Sequence, residues 1–313
     1  MSGAGVVVIG DVMTDIIVRP EGPLRRGSDR RATISRHAGG SGANQAAWLA
    51  SAGVDTVLVA RVGEGDAAGL ETHFRSIGVV PYLGRDRERP TGTLINIIDP
   101  DGERSFLTDR GANLGLCDAD LPPNLYQEGA AVLVSGYSLF AEGPRRAVMR
   151  FMAQARAAGL LVAVDPSSAG FLEDVGPQVF LDWVSGADLV FANAEEAALL
   201  SGEAEPEAQA AALANVFATV IIKRGAEGAI AAVGGRLTSA RPREALQVVD
   251  STGAGDAFAA GYLACRLRGG EVDACLATGV ALGGQAVMQV GGQPAIGVVP
   301  VHQFAGNQPF MRR

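Results

Sequence analysis

Short runs of apolar, β-branched residues alternate along this chain with longer, alanine-rich stretches whose apolar positions recur at helical spacing. Residues 6–9 (Val-Val-Val-Ile) form the first run, which stops at Gly10-Asp11. Runs at 56–59, 131–134, 160–164, 189–191 and 220–222 share its character, and residues 44–52, 144–157, 177–185, 194–200 and 207–217 read as helices between them. A strand apolar at every position is buried on both faces, the mark of a parallel sheet covered by helices on each side. Two stretches break this rhythm. Residues 16–35 and 91–107 carry short strands around the turn signals Pro20-Glu21-Gly22 and Asp99-Pro100-Asp101-Gly102. They read as antiparallel hairpins that could form a small second sheet over a site. The pattern predicts an α/β fold with a mostly parallel sheet, no internal repeat and no low-complexity linker.

At 313 residues a folded chain buries roughly 75% of its unfolded surface, so no disulfide or metal staple is required. Net charge is −8, and the arginine pairs (Arg25 and Arg26, Arg30 and Arg31, Arg145 and Arg146) are scattered. Such a chain lacks the basic stripe that nucleic acid requires, and these pairs read as solvated surface. Cys117, Cys265 and Cys275 show no C-x-x-C spacing, and His37, His73 and His302 do not cluster. Neither a disulfide framework nor a zinc site is implied. No basic segment precedes an apolar stretch at the N-terminus, and no run reaches the ~18 apolar residues of a membrane span. A soluble, cytoplasmic protein with no membrane partner is expected.

The densest chemical signal is Asp250-Ser251-Thr252-Gly253-Ala254-Gly255-Asp256. Residues 246–249 read as a strand leading into it and 254–267 as the helix leaving it. Gly253, Ala254, Gly255 and Asp256 then lie at a helix N-terminus, where free N–H groups and the helix dipole favour an anion. A transferring phosphoryl group spreads its charge over equatorial oxygens that such amides stabilise. Asp256 adds a carboxylate at the edge of this nest, and accepting the proton of an attacking hydroxyl is a task that suits it there. Taken alone, it could equally cap the helix.

Asp250-x-x-Gly-x-Gly-Asp resembles the second signature of the ribokinase (PfkB) family of carbohydrate kinases. Gly39-Gly40-Ser41-Gly42-Ala43-Asn44-Gln45 resembles the family's first signature, in the expected order and roughly 210 residues upstream. Gly10-Asp11-x-x-x-Asp15, Asn193-x-x-Glu196, Gly225-x-x-Gly228 and Gly291-Gly292-Gln293-Pro294 extend the similarity across the chain. The resemblance implies a single three-layer α/β/α ribokinase-like domain over 1–313, with a β-sheet lid formed by segments near 12–36 and 91–110. It implies ATP, Mg²⁺ and transfer to a primary alcohol, with Asp256 as base and the Gly253, Ala254 and Gly255 amides as anion hole. Asn193 and Glu196 match the motif that organises Mg²⁺ and phosphate, often through water. From the residues alone they also read as a capping box opening a helix. Lys223, Gly225 and Gly228 match the nucleotide side. Many members also bind a monovalent cation, K⁺, mainly through backbone carbonyls. The matching positions are Asp250, Thr252, Ala286, Gln289 and Gly291, and Ala295 stands where some members offer a serine hydroxyl. Members are often homodimers that pair through their lids.

The acceptor side of the family maps onto Asp15, Gly40 and Asn44, with Asp11 either structural or in contact with the acceptor. Ribokinases proper carry Asn where this chain has Met13, and Glu near Tyr137. These departures weaken a ribose assignment and leave room for a larger acceptor such as a nucleoside. Arg104 and Arg110 resemble the lid-side stretch of fructokinases and keto-deoxy-gluconate kinases, where arginine could read a carboxylate or phosphate. The opening Gly10-Asp11-Val12-Met13 also resembles heptose-phosphate kinases. A sugar kinase is the leading expectation and a nucleoside kinase the alternative. A non-catalytic sugar- or nucleotide-binding protein is the less favoured reading, since replacement of Asp256 or the glycines would favour it and all are present.

Overall fold

The computed structural model describes residues 5–99, 101, 104–125 and 129–295. The chain opens with β1 (Gly5–Ile9), β2 (Met13–Pro20) and β3 (Ala32–Gly39), followed by α1 (Ser41–Ser51), β4 (Thr56–Gly63), α2 (Glu64–Ser76) and β5 (Val79–Asp86). Next come β6 (Gly92–Ile98), β7 (Arg104–Asp109), β8 (Gly129–Ser135), α3 (Glu142–Ala157), β9 (Leu161–Asp165), α4 (Ala169–Val175) and α5 (Pro177–Val184). The last part holds β10 (Leu189–Asn193), α6 (Ala194–Ser201), α7 (Pro206–Leu213), β11 (Thr219–Lys223), β12 (Ala229–Val233), β13 (Arg236–Ala240), α8 (Ala254–Leu267) and α9 (Val272–Ala286).

Nine strands form the central sheet in the order β13-β12-β11-β10-β9-β8-β1-β4-β5, parallel from β11 to β5 and antiparallel at β12 and β13. Alternation along each strand splits the core into two layers. Val6 and Val8 of β1 pack with Trp48, Phe74, Phe258, Tyr262 and Leu276, beneath α1, α2, α8 and α9. Val7 and Ile9 point the other way, into Phe151, Phe180, Leu200 and Leu213 of α3, α5, α6 and α7. This is the three-layer arrangement expected from strands without a polar face.

A separate four-stranded sheet has the order β3-β2-β6-β7, with antiparallel hairpins β2–β3 and β6–β7 joined through the parallel pair β2–β6. Its hairpins match the two stretches that broke the sequence rhythm; the turn at residues 99–102 lies partly outside the described residues. Residues 246–249 do not form the expected strand. The segment is irregular and half open to solvent, and the N–H groups of Val249 and Asp250 donate to the carbonyl of Val287 just past α9. A β-branched run becomes a strand only where a neighbour offers a ladder, and here the end of α9 offers a single carbonyl. Among the described residues no helix is long and apolar enough to cross a membrane.

One long-range bond ties α1 to the Gly291-Gly292 loop beyond α9. Trp48 of α1 is 1% exposed, and its Nε1 donates to the carbonyl of Gly292 at 2.8 Å. Replacing Trp48 with Phe keeps most of the apolar contact but strands that buried carbonyl. The variant is predicted to lose about 1–3 kcal/mol of stability, read as a lower urea midpoint with an unchanged m-value.

Candidate active site

The carboxyl ends of the parallel strands open into one cleft of about 1150 Å³. Ligands of open α/β sheets bind there because the strand ends leave free backbone and the following helices start there. The small sheet lies over one end: Met13, Asp15, Leu94, Phe106 and Thr108 line the cleft from it. Gly225, Gly228, Pro242, Leu246 and Gly283 line the other end.

Between the two ends stands the start of α8. Gly253 precedes it at φ 74, in the left-handed region, and a Cβ there would lie 2.5 Å from the carbonyl oxygen of Gly292. Only glycine satisfies both constraints. The loop before the helix is pinned by Asp250, whose Oδ1 accepts from the Thr252 N–H (3.0 Å) and hydroxyl (2.7 Å) while Oδ2 accepts from the Gly291 N–H (3.1 Å). Asp256 follows in the first turn of α8. The hydroxyl of Ser41 donates to its Oδ1 at 2.7 Å and the amide of Asn44 to its Oδ2 at 3.1 Å. Each carboxylate oxygen keeps a second lone pair for another donor. Burial, with Asp165 nearby, pushes the Asp256 carboxyl up to about 7 against opposing pulls from Ser41, Asn44 and Lys223.

Elsewhere in the cleft lining Asp11 closes off its own carboxylate. Its Oδ1 accepts from the Gly42 N–H (3.1 Å) and the Ser135 hydroxyl (3.3 Å), and its Oδ2 pairs with Arg110 at 3.1 Å. Arg110 also lies over the ring of Tyr137, 4.7 Å from its centroid. The side chain of Arg104 lies outside the described residues. Asp15 Oδ1 and Asn44 Oδ1 are buried and accept no hydrogen bond from the described residues. Burial, reinforced by Asp11 and Asp250, lifts the Asp15 carboxyl to about 7.

Asn193 and Glu196 do form the capping box that their spacing allows: Asn193 Oδ1 accepts from the Glu196 N–H, and Glu196 Oε2 from the Asn193 N–H, both at 2.8 Å. Both residues still line the cleft. Burial and the charge of Asp165 raise Glu196 to about 7. Gln289 lies with both ends of its amide engaged, Nε2 with the Gln293 carbonyl and Oε1 with the Ala295 N–H. The Ala286 carbonyl accepts from the Gln289 N–H.

Three participants escaped the sequence reading. Ser41 sat unnoticed inside the first glycine motif. Asp165 closes β9, and a polar residue ending an apolar strand at the carboxyl edge was the available signal. Ser167, two residues on, carries the sole non-glycine positive φ (73) among the described residues. Lys223, which its Lys-Arg setting taken alone would put in solvent, is instead 13% exposed at its side chain and paired with Asp165 at 2.7 Å.

The comparisons agree with this architecture. A fructokinase of Escherichia coli is 30% identical over 272 residues, covering 83% of each chain. The adenosine kinase structure from Sinorhizobium meliloti matches with a TM-score of 0.88 over 97% of this chain and 100% of that one, at 24% identity. The Arabidopsis thaliana ribokinase complexed with ribose and ATP matches with a TM-score of 0.80 over 95% and 96%, at 26% identity. The profile of the pfkB family carbohydrate kinases matches residues 4–296, a span that takes in both sheets and the loop beyond α9, so this chain belongs to that family.

Proposed function

We propose that the cleft moves the γ-phosphoryl group of ATP to a hydroxymethyl group of a sugar or sugar derivative, with Asp256 as general base. The observation that carries this reading is the placement of a half-buried carboxylate, bonded to Ser41 and Asn44, in the same helical turn as the Gly253–Gly255 amides. The acceptor oxygen forms its bond to the γ-phosphorus as the bond to the β–γ bridging oxygen breaks. The acceptor proton passes to Asp256 and ADP leaves with the electron pair. Donors already fixed by α8 meet the developing charge without reorganising.

ATP would extend toward Gly225, Gly228 and the 242–246 segment, with Lys223, Asn193 and Glu196 nearest its phosphates. The solved ribokinase holding ribose and ATP supports that choice of donor. A divalent cation fits Glu196, a hard-oxygen ligand whose Oε2 is held by the Asn193 N–H; Mg²⁺ would be bound there through water and would neutralise phosphate charge. A monovalent cation would rely on backbone carbonyls near Asp250, Thr252, Ala286, Gln289 and Gly291, since the Gln289 amide is already engaged.

Asp15 and Asn44 would grip neighbouring hydroxyls through their unanswered oxygens. A partner lacking those hydroxyls would leave buried acceptors unpaired and bind poorly. A nucleoside acceptor is the second reading, and one observation favours it: Met13, Leu94, Phe106, Tyr137 and Phe171 give this end of the cleft an apolar wall of aromatic size. The small sheet would close over the acceptor as a lid. Its opposite face carries Ile16, Val18, Ile34, Ile95, Ile97 and Leu107 in adjacent register, all at least partly exposed, which supports pairing of two copies there.

ADP release with Mg-ATP and K⁺, measured over sugars, keto-sugars, sugar acids, sugar phosphates and nucleosides, tests the reaction and names the acceptor. Asp256→Asn is predicted to lower kcat by about 10²–10⁴, and turnover that survives the change would remove Asp256 from the role of base. In the wild type kcat/KM should fall with acidification below about pH 7, where Asp256 takes up its proton.

The same carboxyl makes a stability prediction. Its folded-state pKa of about 7 lies above the ordinary 3.8, so the folded chain holds the proton more tightly than the unfolded chain. Stability is therefore lost as pH rises from about 4 to about 7. Asp256→Asn should raise the melting temperature of the ligand-free protein at pH 8 and leave it nearly unchanged at pH 4, a gain on the order of 1–4 kcal/mol.

A further inference from the structure

Lys223 closes β11 and Asp165 closes β9, with β10 between them in the sheet. The lysine thus crosses a whole strand, roughly 10 Å along the carboxyl edge, to reach its partner. Adjacent strands are already joined by ladder hydrogen bonds, so an ion pair that skips one adds little to the sheet. What it does is carry an ammonium into the floor of the cleft. Nζ sits 2.7 Å from Asp165 Oδ2, and a Cβ built on Gly255 would lie 3.2 Å from Nζ. The charge therefore rests against Gly255, in the first turn of α8.

Asp165 is held as firmly as the lysine. Its Oδ1 accepts from the Ser167 N–H at 3.1 Å, and the Ser167 hydroxyl donates to the Asp165 carbonyl at 3.0 Å while accepting from the Gly136 N–H at 3.1 Å. These bonds require the left-handed backbone at Ser167 (φ 73), a conformation that persists only where surrounding structure imposes it. Strain spent on aiming one carboxylate is strain spent on aiming the ammonium that it holds. Asp165, Glu196 and Asp256 all face Nζ; burial opposes the lysine's charge, yet Asp165 and Glu196 outweigh it and its pKa is raised. The ammonium stays charged through neutrality.

We propose that Lys223 is a catalytic residue whose ammonium contacts the γ-phosphoryl group at the start of α8, and that Asp165, fixed by the Ser167 turn, is the residue that positions it. The inference rests on the kinase reading above and assigns a charge to its anion hole that the amides alone do not supply. Lys223 keeps its proton throughout: the bonds that form and break are those at the γ-phosphorus, and the acceptor proton goes to Asp256.

Nucleotide affinity separates this role from a merely structural one. The intact wild type, Lys223→Met, Asp165→Asn and the double variant are titrated calorimetrically with Mg-ADP and with Mg-AMP-PNP, a non-hydrolysable analogue that carries a γ-group. Lys223→Met should lose about tenfold or more in affinity for Mg-AMP-PNP and less than about threefold for Mg-ADP. Asp165→Asn should lose a smaller amount with the same selectivity. The double variant removes both buried charges at nearly constant volume, so it folds even where a single change leaves one charge stranded; it should lack the γ-group preference entirely. Equal losses for both nucleotides, or none, overturn the assignment. A wild type that binds both nucleotides and releases ADP with one of the acceptors, while Lys223→Met turns over within about threefold of it, sinks this proposal alone. A wild type that binds neither nucleotide sinks the kinase reading and the proposal with it.

Discussion

A carboxylate partly withdrawn from water resists ionisation, and the arrangement of this cleft follows from keeping Asp256 ionisable while it stands half-buried on the cleft floor. Five influences bear on it. Burial and Asp165 push its proton affinity up; the Ser41 hydroxyl, the Asn44 amide and the Lys223 ammonium pull it down. The balance falls at about 7, where a carboxylate is a far better base than in water and is still substantially ionised at neutral pH. None of these influences comes from Asp256's own helix. Ser41 and Asn44 arrive from α1, Asp165 from β9 and Lys223 from β11, so the ionisation of this carboxyl depends on the whole carboxyl edge of the sheet being in place.

That edge is held by the core. The two faces of β1 bury into different helical layers, which leaves its carboxyl end free to deliver Asp11 into a site. Asp11 spends its carboxylate on Gly42, Ser135 and Arg110, and so joins the start of α1, the end of β8 and the chain beyond β7 at one point. Trp48 performs a similar task from the other side by engaging the Gly292 carbonyl. The site is thereby stabilised by groups that need not touch substrate, while Asp15 and Asn44 retain unanswered oxygens. Polar atoms left unpaired in a buried place cost stability until a ligand meets them. Their cost is the counterpart of the selectivity that they would confer.

Much of this was legible before any coordinates. The parallel strands announced themselves because burial on both faces forces continuous apolar runs, and the two hairpin stretches stood out because they break that rule. The start of α8 was legible because Gly253 and Gly255 flank a position where a helix begins and a carboxylate follows. Residues 246–249 misled because Val248 and Val249 have strand character without a strand neighbour; propensity gives no information about partners. β5, β12 and β13 went unread, since Pro81 and Gly84 interrupt the first, the second is a short alanine-rich run buried between β11 and β13, and the third is an exposed edge strand. Asp165, and its pairing with the Lys223 that the resemblance had placed on the nucleotide side, were opaque for a different reason. The two residues lie 58 positions apart, and each alone resembles an ordinary polar residue at a strand end. Their meaning arises only when the sheet order places both on the cleft floor.

The most direct test of this account is the ionisation of the Asp256 carboxyl itself in the ligand-free protein. Infrared difference spectra of wild type against Asp256→Asn, recorded as a function of pH, isolate the protonated carboxyl stretch of that one side chain. A transition near pH 7 is predicted. A transition near the ordinary value of 3.8 would contradict the account, because a carboxylate that ionises as it does in water is neither as buried nor as basic as the proposed proton acceptor has to be.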